Sequence, residues 1–291
     1  VLRKYKGEES VNISLWAQKI KKEKKEKGTL QLTATNLKLT NSRFVLINDE
    51  KRVVFDTKNN PDIDYGYLEL KDINLDADKF IIQAKQIVNI GMNFNHLAFN
   101  QYGGFSLTDG QANFSICDTA LVMDKMHFVT PNSDLDMDLK FKYDEWQQLG
   151  EFVDSVRISS TIRPTTLCMK DVAGFAPALK GMNETFSITA DRFYGAVSNF
   201  KLINFLARWG MGNQLHGDLA LKNVTDFKHA DITLELDSSN VNVPELANFT
   251  LPKGKTIPIN KTVAKFGNTS LKCSFAGTLS EFDASVDAVS G

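Results

Sequence analysis

Apolar and polar residues alternate one by one through most of this chain. The clearest stretch runs from Asp218 to Asp237, where a short polar break separates two alternating runs. Because successive side chains of a β-strand point to opposite faces, alternation collects the apolar residues on one face. The stretch therefore predicts two strands joined by a turn, with one apolar and one polar face.

The recurrence of this pattern predicts a long antiparallel sheet whose function, beyond scaffolding, lies on its apolar face. The most regular runs supply the side chains that we expect to line this face, which are Leu135, Met137, Leu139, Phe141, Leu219, Leu221, Ile232, Leu234 and Leu236. Shorter runs add Phe114, Ile116, Phe186 and Ile188.

Two segments depart from the alternation and predict short helices. Between Tyr143 and Asp154 the apolar residues recur at helical spacing. A second helix is expected to start at Asp171, whose carboxylate would cap it, and to run to about Leu179, with Gly181 closing it. We expect these helices to cover edges of the sheet or to plug one end.

Composition permits a packed core and excludes several classes of partner. Apolar residues make up 42% of the chain and charged residues 24%, and the formal net charge is -1. Such a balance provides no strong field to hold nucleic acid or an anionic bilayer surface by electrostatics alone. The chain contains 20 Phe but only 6 Tyr and 3 Trp. Phenylalanine has no polar group, so this bias suits a wholly apolar surface.

Candidate chemistry is sparse, and we expect neither an enzyme nor a cofactor or metal site. The four histidines are scattered, and the three cysteines are too far apart for zinc or disulfide motifs. No nucleophile elbow is present. Asp134, Asp136 and Asp138 resemble half of a calcium loop, but its glycine and closing glutamate are missing, so a strand with a polar outer face is favoured.

The alternation alone leaves two architectures open. In a closed β-sandwich or barrel, the phenylalanines, leucines and isoleucines pack against each other. In an open groove, the apolar face has no second protein layer. Features other than the alternation are needed to choose between a closed sandwich or barrel and an open groove.

The order of several short motifs resembles the TamB translocation and assembly module proteins of Bacteroidetes-type bacteria, within the AsmA-like group. The likeness covers most of the chain beyond about Leu37. The segments that carry it are 37–44 leading to Phe55-Asp56, Gly103 to Leu107, Phe128 to Ser133, Asp171 to Pro177, Gly195 through Leu202 to Leu219, and Gly277 to Phe282.

This resemblance implies an all-β fold: an elongated, curved antiparallel sheet that forms an open apolar groove, with one or two short helices. It implies a periplasmic protein, anchored in the inner membrane, whose groove shields the acyl chains of phospholipids during transport between the inner and outer membranes. The alternatives are a scaffold that assembles outer-membrane barrel proteins or autotransporters by strand augmentation, and a closed β-sandwich binding module.

We divide the chain at residue 28. Residues 1–28 are expected to form an N-terminal strand and a charged connection, and residues 29–291 the elongated β-groove. The lysine-rich run from Lys21 to Lys27 favours a solvated connection over a membrane-surface patch, since glutamates interrupt it. The chain begins and ends within the pattern, so we expect it to be part of a longer protein whose membrane anchor lies outside this sequence.

Overall fold

The structure is a computed structural model, and it describes residues 1–8, 30–50, 52, 64, 66–84, 88–145, 148, 152–175, 179–226 and 229–290. The predictions for Lys21–Lys27, for the N-terminal strand within residues 9–29, and for residues 146, 147 and 149–151 of the first helix fall outside the described residues.

Long strands account for most of the described chain. The strands are β1 (Leu2–Lys4), β2 (Leu30–Asn48), β3 (Tyr67–Ala84), β4 (Val88–Gln101), β5 (Ser106–Leu107), β6 (Asp109–Cys117), β7 (Ala120–Val129), β8 (Asp134–Lys142), β9 (Arg157–Cys168), β10 (Thr185–Ala196), β11 (Asn199–Trp209), β12 (Asn213–Lys222), β13 (Asp231–Asn242), β14 (Thr250–Leu251), β15 (Lys255–Thr256), β16 (Asn268–Gly277) and β17 (Phe282–Ser290). The helices are α1 (Phe152–Ser155) and α2 (Met169–Phe175), and 3₁₀ turns span Glu245–Asn248, Pro252–Gly254 and Val263–Phe266.

The strands form one curved, open sheet in which spatial order follows sequence order. Its path runs β1-β2-β3-β4-β6-β7-β8-β9-β10-β11-β12-β13-β16-β17, β5 pairs beside β4, and β14 with β15 forms a separate hairpin. Among the strands that the structure describes, β1 pairs with β2 in parallel, and all other neighbours are antiparallel. The all-β open sheet is confirmed, and the closed sandwich or barrel is not the observed architecture.

The strands bend because their middles contain β-bulges. Asn41 in β2, Lys125 in β7 and Asn204 in β11 have φ angles of 45°, 52° and 48°. Each of these residues lies where the register with the next strand shifts. An extra residue on one strand of a pair bends that strand and increases its twist. The curvature of the sheet therefore originates in single residues that interrupt the alternation.

The prediction for the second helix was wrong at its start. Helix α2 begins at Met169, two residues before Asp171, so the Asp171 carboxylate does not act as its N-cap. It accepts hydrogen bonds instead from the hydroxyls of Thr130 and Ser133, in the turn between β7 and β8. The helix spans Met169–Phe175, and residues 176–178, through which the prediction continues, lie outside the described residues.

Candidate functional site: an apolar face along the sheet

One row of apolar side chains crosses the sheet from β2 to β17. Successive members of this row are directly paired residues on adjacent strands, so their side chains lie on the same face of the sheet. Every one of its 13 members is apolar or glycine. This first row consists of Leu32, Ile82, Ile90, Ile116, Leu121, Phe141, Ile158, Gly195, Phe200, Leu221, Ile232, Gly277 and Phe282.

A second row runs beside the first, from β4 to β17. It consists of Met92, Phe114, Met123, Leu139, Ser160, Phe193, Leu202, Leu219, Leu234, Phe275 and Ala284. Ser160 is its single polar member, and the Ser160 Oγ is buried without a hydrogen-bond partner. Neither row contains a charged side chain.

A third row lies on the other side of a line of bulges. It consists of Met126, Met137, Ile162, Ala190, Phe205, Gly217, Leu236, Cys273 and Val286. Register shifts in β7, β10 and β11 fall between the second and third rows, and β10 has a further shift beyond the third row, between Ile188 and Ala190. Because a bulge bends its strand, the apolar face bends along this line.

The structure places all of the predicted lining residues on this one face. Eight belong to the first two rows, and Met137 and Leu236 belong to the third. Leu135, Phe186 and Ile188 lie on the same face beyond the third row, farther from the first row. The sequence did not single out Phe193, Leu202 or Phe205, although they carry the same pattern. The bulges in β10 and β11 interrupt the regular alternation of apolar and polar residues, so the sequence pattern does not assign these residues to the apolar face.

The apolar face is only partly buried. Leu236 is 8% exposed, whereas the other predicted lining residues are half-buried. Of the 18 phenylalanines whose side chains the structure describes, only Phe205 is buried, and Phe175, Phe266 and Phe282 are exposed. A closed core would bury most of them. The side chains therefore pack on their neighbours within the sheet, and no second sheet of the described residues lies above them.

Charge is concentrated on the opposite face. Arg163 Nε and Nη1 donate to the carboxylates of Asp136 and Asp138, at 2.6 and 2.7 Å. The hydrogen bond from Arg163, together with the backbone N–H of Lys125, holds the pKa of Asp138 below its usual range. On the apolar face, by contrast, burial raises the pKa of the Cys273 thiol. The two faces thus offer different environments to a ligand.

At one rim of the sheet, helix α1 lies beside the middle of the first row. Phe152 packs edge-on against Phe141, with ring centroids 5.1 Å apart. The backbone N–H of Ser198, in the turn after β10, donates to the carbonyl of Val153 at 3.0 Å. These contacts hold α1 across the ends of β8 and β10, so it covers part of this rim.

At the opposite rim, the connection after β9 passes over the ends of several hairpins. Asp171 binds the turn between β7 and β8, and Phe175 packs edge-on against Phe105, with centroids 5.0 Å apart. Phe105 precedes β5, which pairs with β4. Helix α2 therefore reaches from β9 to β4 over the ends of interior strands, and it does not lie along an edge strand of the sheet.

The connection between β13 and β16 extends the cover at this rim. Thr250 donates its N–H and its hydroxyl to the Glu184 carboxylate, at 2.5 and 2.8 Å. Phe249 packs against Phe186 and Trp209, with centroids 6.2 and 5.9 Å away. We call residues 169–175, 179–184 and 243–267 together the rim strap. It covers the ends of the strands and leaves the first two rows open.

Other kinds of site are not apparent in the described part of the chain. There, no group of three or more His, Cys, Asp or Glu side chains is arranged to hold a metal ion. Within the same residues, no helix is long and apolar enough to cross a membrane. No family model, curated protein or solved structure matches the chain.

Proposed function

We propose that this protein is a groove that shields lipid acyl chains, and that it belongs to a periplasmic bridge of the TamB type carrying phospholipids between the inner and outer membranes. The observation that carries the proposal is the pair of apolar rows, most of whose members are half-buried, over which the described residues form no second sheet. In water, such a face requires an apolar partner.

Acyl chains fit this face because their contacts are non-directional. Each CH₂ group that leaves water contributes about 0.8 kcal/mol. A chain lying along the first row meets leucine, isoleucine or phenylalanine on nearly every strand, so neighbouring positions offer similar contacts. A lipid can then slide along the sheet with small barriers, whereas a site with polar anchors would hold it in one place.

The dimensions of the face suit a rail rather than a single pocket. The first row crosses 13 strands. At about 4.8 Å between neighbouring strands, it extends over about 58 Å, roughly twice the thickness of a bilayer's hydrocarbon core. Polar head groups would stay in water at the uncovered side, because burying them without partners costs several kcal/mol.

Photo-crosslinking from the apolar face tests the proposal. A photoreactive residue at Leu219 or Leu234 should capture phospholipid in cells, and a Leu234→Asp change should abolish capture from position 219 while the fold is retained. Thr233 supplies the control, because it is exposed on the opposite face next to Leu234. A probe at Thr233 should capture no lipid, and Thr233→Asp should leave capture from position 219 unchanged.

The result against the proposal is equally concrete. If probes at Leu219 and Leu234 capture no lipid, or no more than the probe at Thr233, the face does not carry acyl chains. Mass spectrometry of an organic extract of the purified protein gives a second readout, in which co-purified phospholipid is expected.

Strand augmentation is the second candidate function, and the edge strand β17 favours it. All nine of its residues are exposed, and in the described structure it pairs only with β16. An unpaired edge presents backbone donors and acceptors to an added strand, such as that of an outer-membrane barrel protein. In this case the extract would contain no phospholipid, and crosslinks would form to protein from the exposed positions of β17.

A further inference from the structure

A second surface, on the rim strap, has a composition unlike that of the rest of the chain. Between Glu245 and Glu281 there is no acidic residue, and the segment contains five lysines. The chain as a whole has a formal net charge of -1. Four of these lysines lie in the connection between β13 and β16, which therefore carries positive charge without acidic residues after Glu245.

The lysines of this connection are free to meet a partner. Lys253, Lys255, Lys261 and Lys265 are all exposed. None of them forms a salt bridge within the described residues, in contrast to Lys222, which pairs with Asp231 at 3.1 Å. Their charge is thus not neutralised by the protein itself.

Apolar side chains are exposed beside these lysines. Phe266 is 52% exposed and Val263 is 37% exposed, and both belong to the 3₁₀ turn that contains Lys265. The turn is ordered by Asn260, whose side-chain oxygen accepts the N–H groups of Thr262 and Val263 at 3.0 and 2.8 Å. The phenylalanine is therefore held outward by a fixed turn and not by a packing partner.

A third exposed apolar residue lies at the same end of the sheet. Met211, at the tip of the turn between β11 and β12, is 80% exposed. Its backbone N–H donates to the Glu245 carboxylate at 2.9 Å, and the N–H of Val243 donates to the Gly267 carbonyl at 2.9 Å. These bonds attach Met211 and Gly267, the residue after Phe266, to the same short segment, residues 243–245.

We propose that the segment from Lys253 to Phe266, together with Met211, docks on the surface of an anionic lipid bilayer. Exposed lysines are attracted to anionic head groups, and each lysine near such a surface raises partitioning about fivefold. Phe266 and Met211 would enter the region between the head groups and acyl chains, where apolar residues anchor peripheral proteins. Docking would place the rim strap, and with it one rim of the groove, against a membrane.

This inference is independent of the cargo of the groove, because it uses residues outside the three apolar rows. A protein with an empty groove should still bind vesicles. Conversely, a protein that carries lipid need not bind a membrane through this segment.

Vesicle flotation tests the proposal. The protein should float with vesicles of phosphatidylcholine and phosphatidylglycerol in a 3:1 ratio, and far less with phosphatidylcholine alone. Binding should weaken in high salt, because ions screen the lysines. The quadruple variant K253Q/K255Q/K261Q/K265Q should bind the anionic vesicles at least tenfold more weakly.

A charge-matched variant supplies the control. K38Q/K140Q/K142Q/K201Q removes four exposed lysines from the strands and gives the same net charge. It should bind as the unmodified protein does. Equal losses in the two variants, or no loss in the first, would overturn the proposal, as would equal binding to neutral and anionic vesicles.

Insertion of the aromatic side chain gives a second readout. In Phe266→Trp, the additional tryptophan emission should shift to shorter wavelength on adding anionic vesicles, and Phe266→Ser should weaken binding. Circular dichroism should show unchanged strand content in each variant. No shift at position 266, combined with salt-sensitive binding, would overturn the proposed insertion; binding of a soluble polyanion as strong as that of vesicles would overturn the bilayer as the partner.

Discussion

At the scale of single residues, the bent strands depend on short polar side chains that bind the bulges. The N–H of Lys125 donates to Asp138 on the next strand at 2.7 Å, and the N–H of Asn204 donates to Asp218 at the same distance. A bulge removes a residue from the ladder of backbone hydrogen bonds. In each of these two bulges, a carboxylate on the next strand accepts a hydrogen bond from the backbone N–H that no longer pairs in the ladder.

Replacing Asp138 tests whether the stability of the fold depends on the hydrogen bond to the bulge in β7. Asp138→Ala removes the acceptor for Lys125 and Arg163, and we expect the free energy of unfolding at pH 7 to fall by about 1–2 kcal/mol. The pKa of Asp138 is lowered in the folded protein, so its contribution is present above the unfolded pKa, near 4, and is lost as the pH falls through the folded value.

Denaturant titrations at several pH values check this expectation. The difference between the unmodified protein and Asp138→Ala should shrink below about pH 4. Asp124→Ala is the control, because Asp124 is an exposed strand residue of β7 on the same polar face. A loss that is independent of pH, or an equal loss for Asp124→Ala, would contradict the assigned role.

A glycine in β12 makes the second prediction at this scale. Gly217 has a φ of 152°, and a Cβ atom there would lie 1.9 Å from the backbone carbonyl oxygen of Glu235. Gly217→Ala should therefore separate β12 from β13 and lower the free energy of unfolding by about 3 kcal/mol. Gly174→Ala is the control, because a Cβ at that position meets nothing within 4 Å. Thermal unfolding that is unchanged in Gly217→Ala would contradict the close approach.

At the scale of elements, alternation predicted strands and faces well, because period two depends only on neighbouring residues. It assigned Leu219, Leu234 and their partners to the correct face without any knowledge of the fold. It did not predict the bulges, since Lys125 and Asn204 have unremarkable identities and their positive φ angles depend on carboxylates on the next strand. The long-range role of Asp171 was missed for the same reason.

The rim strap gives the prediction that belongs to this scale. Asp171→Ala leaves the buried Thr130 and Ser133 hydroxyls without their acceptor, which should cost about 1–3 kcal/mol. Because the lost bonds attach α2 to the turn between β7 and β8, hydrogen exchange should accelerate in residues 169–184 and stay unchanged in β11 and β12. Asp171→Asn keeps an acceptor and should show a smaller effect. Uniform acceleration over the sheet would contradict a local attachment.

At the scale of the whole molecule, the sheet is close to one-dimensional. Strand packing in the described chain follows the order of the sheet. Structures in which each unit contacts only its neighbours derive their stability from local terms that add along the chain. The buried cluster lies in one part of the sheet and consists of Ala190, Leu202, Phe205, Ala207 and Leu236. An open groove and a local distribution of stability follow from the same lack of a second layer.

The Phe205→Ala variant should show whether stability is distributed locally along the sheet or whether the sheet unfolds as one cooperative core. Removing a buried phenylalanine costs about 3–5 kcal/mol, and Phe205 is 5% exposed in the cluster. In the unmodified protein, hydrogen exchange should be slowest in β10 to β13 and fastest in the exposed edge strand β17, since opening at an edge breaks one pairing only. In the variant, exchange should accelerate in β10 to β13 and remain unchanged in β3 and β4, many strands away. If exchange in β3 and β4 accelerates as much as in β11, the sheet unfolds as one unit, and stability is not distributed locally.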